Sequence, residues 1–200
     1  AKANFDASIH TAWIAFLGPL LGSISRPFGG KLADKIGGGK ITLYTFGAMT
    51  AITAVLVGGG MWDDATKGPA TGAQMAVYIT AFMVLFILTG LGNGSTYKMI
   101  PSIFEARSHA VVGSETDRLN WSRGMSGALI GFAGAIGALG GVGINLALRQ
   151  SYLSSGSATA AFWVFVTFYV AALTLTWTRY IRTPLTVVAP ASPAEAVSVA

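Results

Sequence analysis

The chain has 200 residues, 52% hydrophobic and only 10% charged, with a mean hydropathy of +0.60. A soluble domain carries about a quarter charged residues, so this composition excludes an ordinary water-soluble fold and points to lipid as solvent. Cysteine is absent, which excludes a disulfide framework, a thiolate metal site and a cysteine nucleophile; the net charge of +5 would suggest nucleic acid in a soluble protein, but here it matters less than where the charges lie.

Apolar runs of about 20 residues predict five membrane-spanning helices, over 9–30, 41–62, 75–104, 125–149 and 159–181. The polar start at Ala1 has no basic-then-apolar leader, so an internal start is expected. In the first run, at about 100° per residue, Gly18, Gly22, Ser25 and Gly29 share one face, opposite Phe16, Leu20, Ile24 and Pro27. Small residues let helix backbones approach, so that face should meet another helix. Arg26 sits at its edge. An arginine in hydrocarbon costs at least ~2.5–3.5 kcal/mol. Either it snorkels to the headgroups a turn or two away, or it faces protein or a cavity that needs a positive charge.

The loop GGKLADKIGGGK leads into the second run, and WDDATKGPATGAQ into the third. The third run is longer than a bilayer requires and must tilt, bend or project, and Pro101 weakens it near its end. It holds GLGNGSTYKMIP, residues 90–101, where Gly90, Gly92 and Gly94 loosen the helix beside the uncharged Asn93, Ser95 and Thr96. Broken helices of this kind occur at transporter sites, and polar residues equally serve as glue between helices. Lys98 lies close enough to Glu105 and the membrane surface to snorkel. The fourth run carries Gly127, Gly131, Gly134, Gly137, Gly140, Gly141 and Gly143. Each costs an isolated helix about 1 kcal/mol relative to alanine, so close contact must compensate. Beyond the fifth run, residues 183–200 read as a disordered tail rich in Pro, Ala and Val.

Basic residues sort by side. Lys31, Lys35, Lys40, Arg107, Arg118, Arg123, Arg179 and Arg182 fall on one, and Lys2, Lys67 and Arg149 on the other. The positive-inside rule makes the first group cytoplasmic, with the C-terminus inside. Trp13, Trp62, Trp163 and Trp177 lie near span ends, as interfacial aromatics do. No acid lies at the centre of a span, which argues against proton coupling through a buried carboxylate in this part of the molecule. The two histidines, His10 and His109, are far apart, so no metal constellation or cofactor fingerprint is expected, and no catalytic residue. GLGNGS lies inside an apolar run instead of after a strand, so it is not a dinucleotide loop.

GGKLADKIGGGK resembles the Gly-x-Leu-x-Asp-Lys/Arg-x-Gly loop of the major facilitator superfamily, in its weaker repeat between spans eight and nine. Together with GPLLGSISRPFGGKLAD, GLGNGSTYKMIPSIF and GFAGAIGALGGVGI, it is similar to the nitrate/nitrite porter family, from Ile9 to about Arg182. The resemblance implies an all-α integral membrane fold. Residues 1–182 would be spans eight to twelve of a twelve-span bundle, and 183–200 a cytoplasmic tail. It implies no enzyme and no cofactor, but transport of nitrate and nitrite by alternating access, through exchange or proton-coupled uptake. The implied partners are nitrate and nitrite, the lipid bilayer and an N-terminal half of the same transporter, with no nucleic acid. The implied location is the cell membrane, the inner membrane in a Gram-negative source, as a multi-pass protein.

By the same resemblance Arg26 is the second substrate arginine, with Asn93, Ser95 and Thr96 as further substrate-binding candidates. Gly131, Gly134, Gly137, Gly140 and Gly141 become structural or gating positions in the glycine-rich eleventh span. Asp34 becomes a structural carboxylate facing a helix N-terminus, with the partner helix in the first half. Lys98 departs from the pattern, where a neutral polar residue is expected. Two other readings remain open: a superfamily transporter of another small anion, and a non-transporting membrane interaction protein built on small-residue packing.

Overall fold

The computed structural model describes residues 2–66, 71–110 and 113–182, with side chains from Phe16 onward. The expected tail over 183–200 lies outside the described residues. Every element described is helical: α1 (Lys2–Ile36), α2 (Gly38–Thr66), α3 (Gly72–Ser108), α4 (Glu115–Ser155) and α5 (Thr159–Thr176), which runs on into a π-helical turn, Trp177–Arg182. The helices α2, α3, α4 and α5 with its π-helical extension are long and apolar enough to cross a membrane. α1 is 35 residues long, and two prolines lie within it.

The sequence expects a loop over 29–40, but the structure reduces it to one residue. α1 continues through Gly29–Ile36 and only Gly37 breaks the helix, at φ 94°, a left-handed conformation that side chains other than glycine's adopt at a cost. Likewise Pro101 does not stop α3, which runs on to Ser108. The helix is also unbroken through Gly90–Gly94, so of the two readings open there the broken helix is set aside. Helical hydrogen bonding prevails because the glycines are pressed against neighbouring helices rather than left to solvent. Both later helices start at capping boxes, Thr71 with Gln74 in α3 and Ser114 with Asp117 in α4.

The small-residue face of α1 meets another helix, as expected, and that helix is α3. Cβ atoms added at Gly18 and Gly22 would meet Phe86, one at Gly29 the Leu91 carbonyl, one at Gly90 the Gly22 carbonyl and Ser25 Oγ, and one at Gly94 the Arg26 carbonyl. Partners advance together along both helices, so α1 and α3 run parallel with their backbones in contact. The apolar core lies where α2, α3 and α5 meet, around Leu56, Val57, Ala81 and Phe162. The Phe162 ring sits 6.1 Å from both Tyr78 and Phe82. At the same end of the bundle, Asp64 Oδ2 accepts hydrogen bonds from Thr159 Oγ1 at 2.8 Å and Ser157 Oγ at 3.3 Å. Gln74 Nε2 donates to Thr66 Oγ1 at 3.0 Å.

α4 behaves differently. Its buried residues are Ser122, Ser126 and Ser151, and every residue from 131 to 146 is exposed. Phe132, Ile136, Leu139 and Val142 project from this stretch with no cover from the other described helices.

Candidate functional site

Arg26 emerges from α1 at the turn that crosses α3. Its neighbour Ser25 is buried, with its hydroxyl 2.9 Å from the Gly22 carbonyl oxygen and 3.0 Å from that of Ile87 on α3. Its own carbonyl rests on Gly94. The side chain itself is exposed, and among the described residues its guanidinium makes no ion pair or hydrogen bond. The backbone is fixed while the charge is free.

The three uncharged candidates on α3 separate. Asn93 and Thr96 line a cavity of about 380 Å³ that also takes Thr42, Thr45 and Met49 from α2, Thr89 from α3, Ile144 from α4 and Tyr169 from α5. Ser95 does not line it. It is fully buried, its hydroxyl 3.1 Å from Thr42 Oγ1 and 3.0 Å from the Gly92 carbonyl, so it acts as glue between α2 and α3. The structure therefore brings Asn93 and Thr96 together on one face and does not bring Arg26 into the cavity they line. Sequence reasoning missed Thr42, Thr45, Thr89 and Tyr169. Thr89, Asn93 and Thr96 follow the i, i+4, i+7 spacing of one helix face, a readable signal, whereas their partners on α2 and α5 required the packing.

The glycines of α4 also depart from expectation. Added Cβ atoms at Gly131, Gly137, Gly140 and Gly141 would meet nothing within 4 Å, and one at Gly134 only Tyr97 Oη at 3.9 Å. Close packing against the other described helices is therefore not what these residues serve. The tight backbone approaches belong to Gly29, Gly90 and Gly94.

Asp34 lies in the last turn of α1, at the negative end of that helix dipole. The partner the structure gives it is Lys98 on α3, Nζ to Oδ2 3.5 Å, with both side chains more than half exposed. The lysine that departs from the expected pattern thus answers an acid that sequence reasoning assigned to a different partner. An exposed pair contributes about 0–1 kcal/mol, so Asp34→Asn should leave thermal stability within about 1 kcal/mol of the parent. If the pair links the ends of α1 and α3 during a conformational cycle, the same change alters transport rate more than anion affinity. Equal rates for parent and variant in proteoliposomes would remove that role.

No protein-family model matches the chain. Among curated proteins it is 36% identical over 186 residues to the nitrate/nitrite transporter NarU of Salmonella typhimurium, and equally to that of Escherichia coli K12, covering 91% of this chain in each case. It is 28% identical over 179 residues to a probable nitrate/nitrite antiporter, NarK2, of Thermus thermophilus, covering 90% of this chain. Over these residues the chain is similar to the nitrate/nitrite porter family. It spans 38% of the length of the NarU relatives and 35% of the NarK2 relative, and corresponds to their C-terminal portion. Its described residues form an all-α, multi-pass membrane bundle consistent with the major facilitator type, and these relatives are named as transporters.

Proposed function

We propose that this chain is the C-terminal part of a transporter that carries nitrate and nitrite across the cell membrane by alternating access. The observation that carries the reading is the 36% identity, over 91% of the chain, to proteins named nitrate/nitrite transporters. Arg26 supplies the chemistry. A guanidinium is permanently charged and offers a planar fork of donors to a planar oxyanion, and no carboxylate among the described residues neutralises it. In this reading Asn93 contributes an uncharged donor from the cavity beside α2, Thr96 lines that cavity with its hydroxyl donating to the Gly92 carbonyl at 2.9 Å, Ser95 holds α3 in place, and the bare face of α4, with Gly131 through Gly141, slides against the remainder of the transporter. The direct test is nitrate binding and uptake by the full-length protein in proteoliposomes. Saturable nitrate uptake, competed by nitrite, is expected. Uptake of a different small anion with no competition by nitrate would favour the wider superfamily reading.

Orientation belongs to the same proposal. The distribution of basic residues puts Lys31–Lys40 and Arg107–Arg123 in the cytoplasm, Asp63 and Asp64 outside, and the C-terminus inside. Lys35 and Thr66 stand exposed near opposite ends of α2. Single cysteines placed at these two positions should therefore react with an impermeant thiol reagent from opposite sides. Labelling of both from one side would overturn this topology.

A further inference from the structure

The turn of α1 that carries Arg26 is held at two points, and neither involves the arginine side chain. On one side the buried Ser25 hydroxyl shares its proton between the Gly22 carbonyl of its own helix, at 2.9 Å, and the Ile87 carbonyl of α3, at 3.0 Å. On the other, the Arg26 carbonyl lies against Gly94. A Cβ there would meet the carbonyl oxygen first, then the Arg26 carbonyl carbon at 2.8 Å and Cα at 3.1 Å. All three are backbone atoms, so no rotamer change relieves the overlap; α1 itself has to move away.

We infer that Ser25 and Gly94 are positioning residues for Arg26, fixing the depth and rotation at which its guanidinium leaves α1. The inference rests on the reading of Arg26 as an anion ligand. Without a Cβ, Gly94 lets the two backbones touch, and the Ser25 hydrogen bond sets rotation about the α1 axis at the residue next to the arginine. A guanidinium sits at the end of a long side chain, so a small rotation or lift of its Cα displaces the donor fork by a comparable or larger distance. Hydrogen bonds weaken steeply as distance and angle depart from their optimum. Gly59 provides an internal contrast, because a Cβ there would meet only the Val77 and Tyr78 side chains of α3, at 3.5 Å and 3.9 Å, an ordinary contact that displaces neither backbone.

The test is a set of variants of the full-length protein in proteoliposomes, read as nitrate Kd and as maximal transport rate. Gly94→Ala should weaken nitrate binding by at least about tenfold, the loss expected when one charge-assisted hydrogen bond is misaligned. Ser25→Ala, which adds no atoms and keeps the helix foldable, should weaken it several-fold, while Gly59→Ala should leave affinity near the parent's. A double-mutant cycle separates positioning from general damage: in an Arg26→Lys background, neither Gly94→Ala nor Ser25→Ala should lower affinity further. Parent-like nitrate affinity in Ser25→Ala, or undiminished additional losses in the Arg26→Lys background, would overturn the inference. If Gly94→Ala does not insert, Ser25→Ala and its cycle decide alone. Parent-like affinity in Arg26→Lys by itself would instead reject the anion-ligand reading, so the two failures are distinguishable.

Discussion

Replacing Gly90 or Gly29 with leucine is expected to abolish folded, membrane-inserted protein. At both positions even the first carbon of a side chain would collide with backbone: the Gly22 carbonyl in one case and the Leu91 carbonyl in the other. Overpacking a well-packed contact costs about 1–3 kcal/mol and occasionally more. Here the clash cannot be absorbed by a flexible side chain, and helix association in lipid has no hydrophobic driving force to spare. Separating α1 from α3 also breaks the Ser25 hydrogen bond to Ile87. Gly140→Leu makes the contrasting case. A Cβ there meets nothing within 4 Å, so the variant should fold and insert normally. In the proposed transporter it should instead slow transport, because the bare face of α4 is where the remainder of the protein would slide. Detergent-solubilised yield and melting temperature decide the matter. A Gly90→Leu protein with parent-like yield and melting would show that backbone contact does not hold α1 to α3.

That contrast marks how far the sequence was legible. Helix content, the apolar runs and the small-residue face of α1 all follow from local pattern, because hydrophobicity and residue size act over one or two turns. The face of Gly18, Gly22, Ser25 and Gly29 was readable as a contact, but its partner was not. Nothing in a one-dimensional pattern distinguishes α3 from α4 as the helix that receives it, and α4 has the larger number of glycines. Glycine count misleads here because a glycine records only that a side chain is unwelcome, not which neighbour excludes it. The Asp34–Lys98 pair was hidden for the same reason: 64 positions separate its members in the chain, and only the parallel alignment of α1 and α3 brings them together. Of the two readings open at Gly90–Gly94, the broken helix is not seen, because intrinsic propensity, about 1 kcal/mol per glycine, is outweighed by packing when Gly90 and Gly94 admit the α1 backbone and Gly92 the Thr45 side chain. Asn93 and Thr96 were legible as polar residues in an apolar run, yet separating them from Ser95 needed the helix azimuth. Ser95 faces Thr42, while the other two face the cavity.

Arg26→Lys in the full-length protein should weaken nitrate binding by roughly tenfold to a hundredfold, the equivalent of one charge-assisted hydrogen bond of ~1.5–3 kcal/mol. Lysine preserves the charge and much of the reach but replaces a rigid planar fork of donors by a single rotating ammonium, so bidentate contact with a planar oxyanion is lost. The competing reading makes the opposite demand. If Arg26 only snorkels toward headgroups, lysine does so nearly as well, and affinity should not change. The geometry of the α1–α3 crossing favours the binding reading. Ser25 and Gly94 pin the backbone on either side of the arginine, whereas snorkelling needs no such fixed origin. No carboxylate among the described residues pairs with Arg26, and Asp34, two turns further along α1, pairs with Lys98. Nitrate affinity of Arg26→Lys, measured at equal insertion and purified yield, therefore separates the two. Parent-like binding would return Arg26 to the membrane surface and leave the transporter's anion ligand to be sought outside α1.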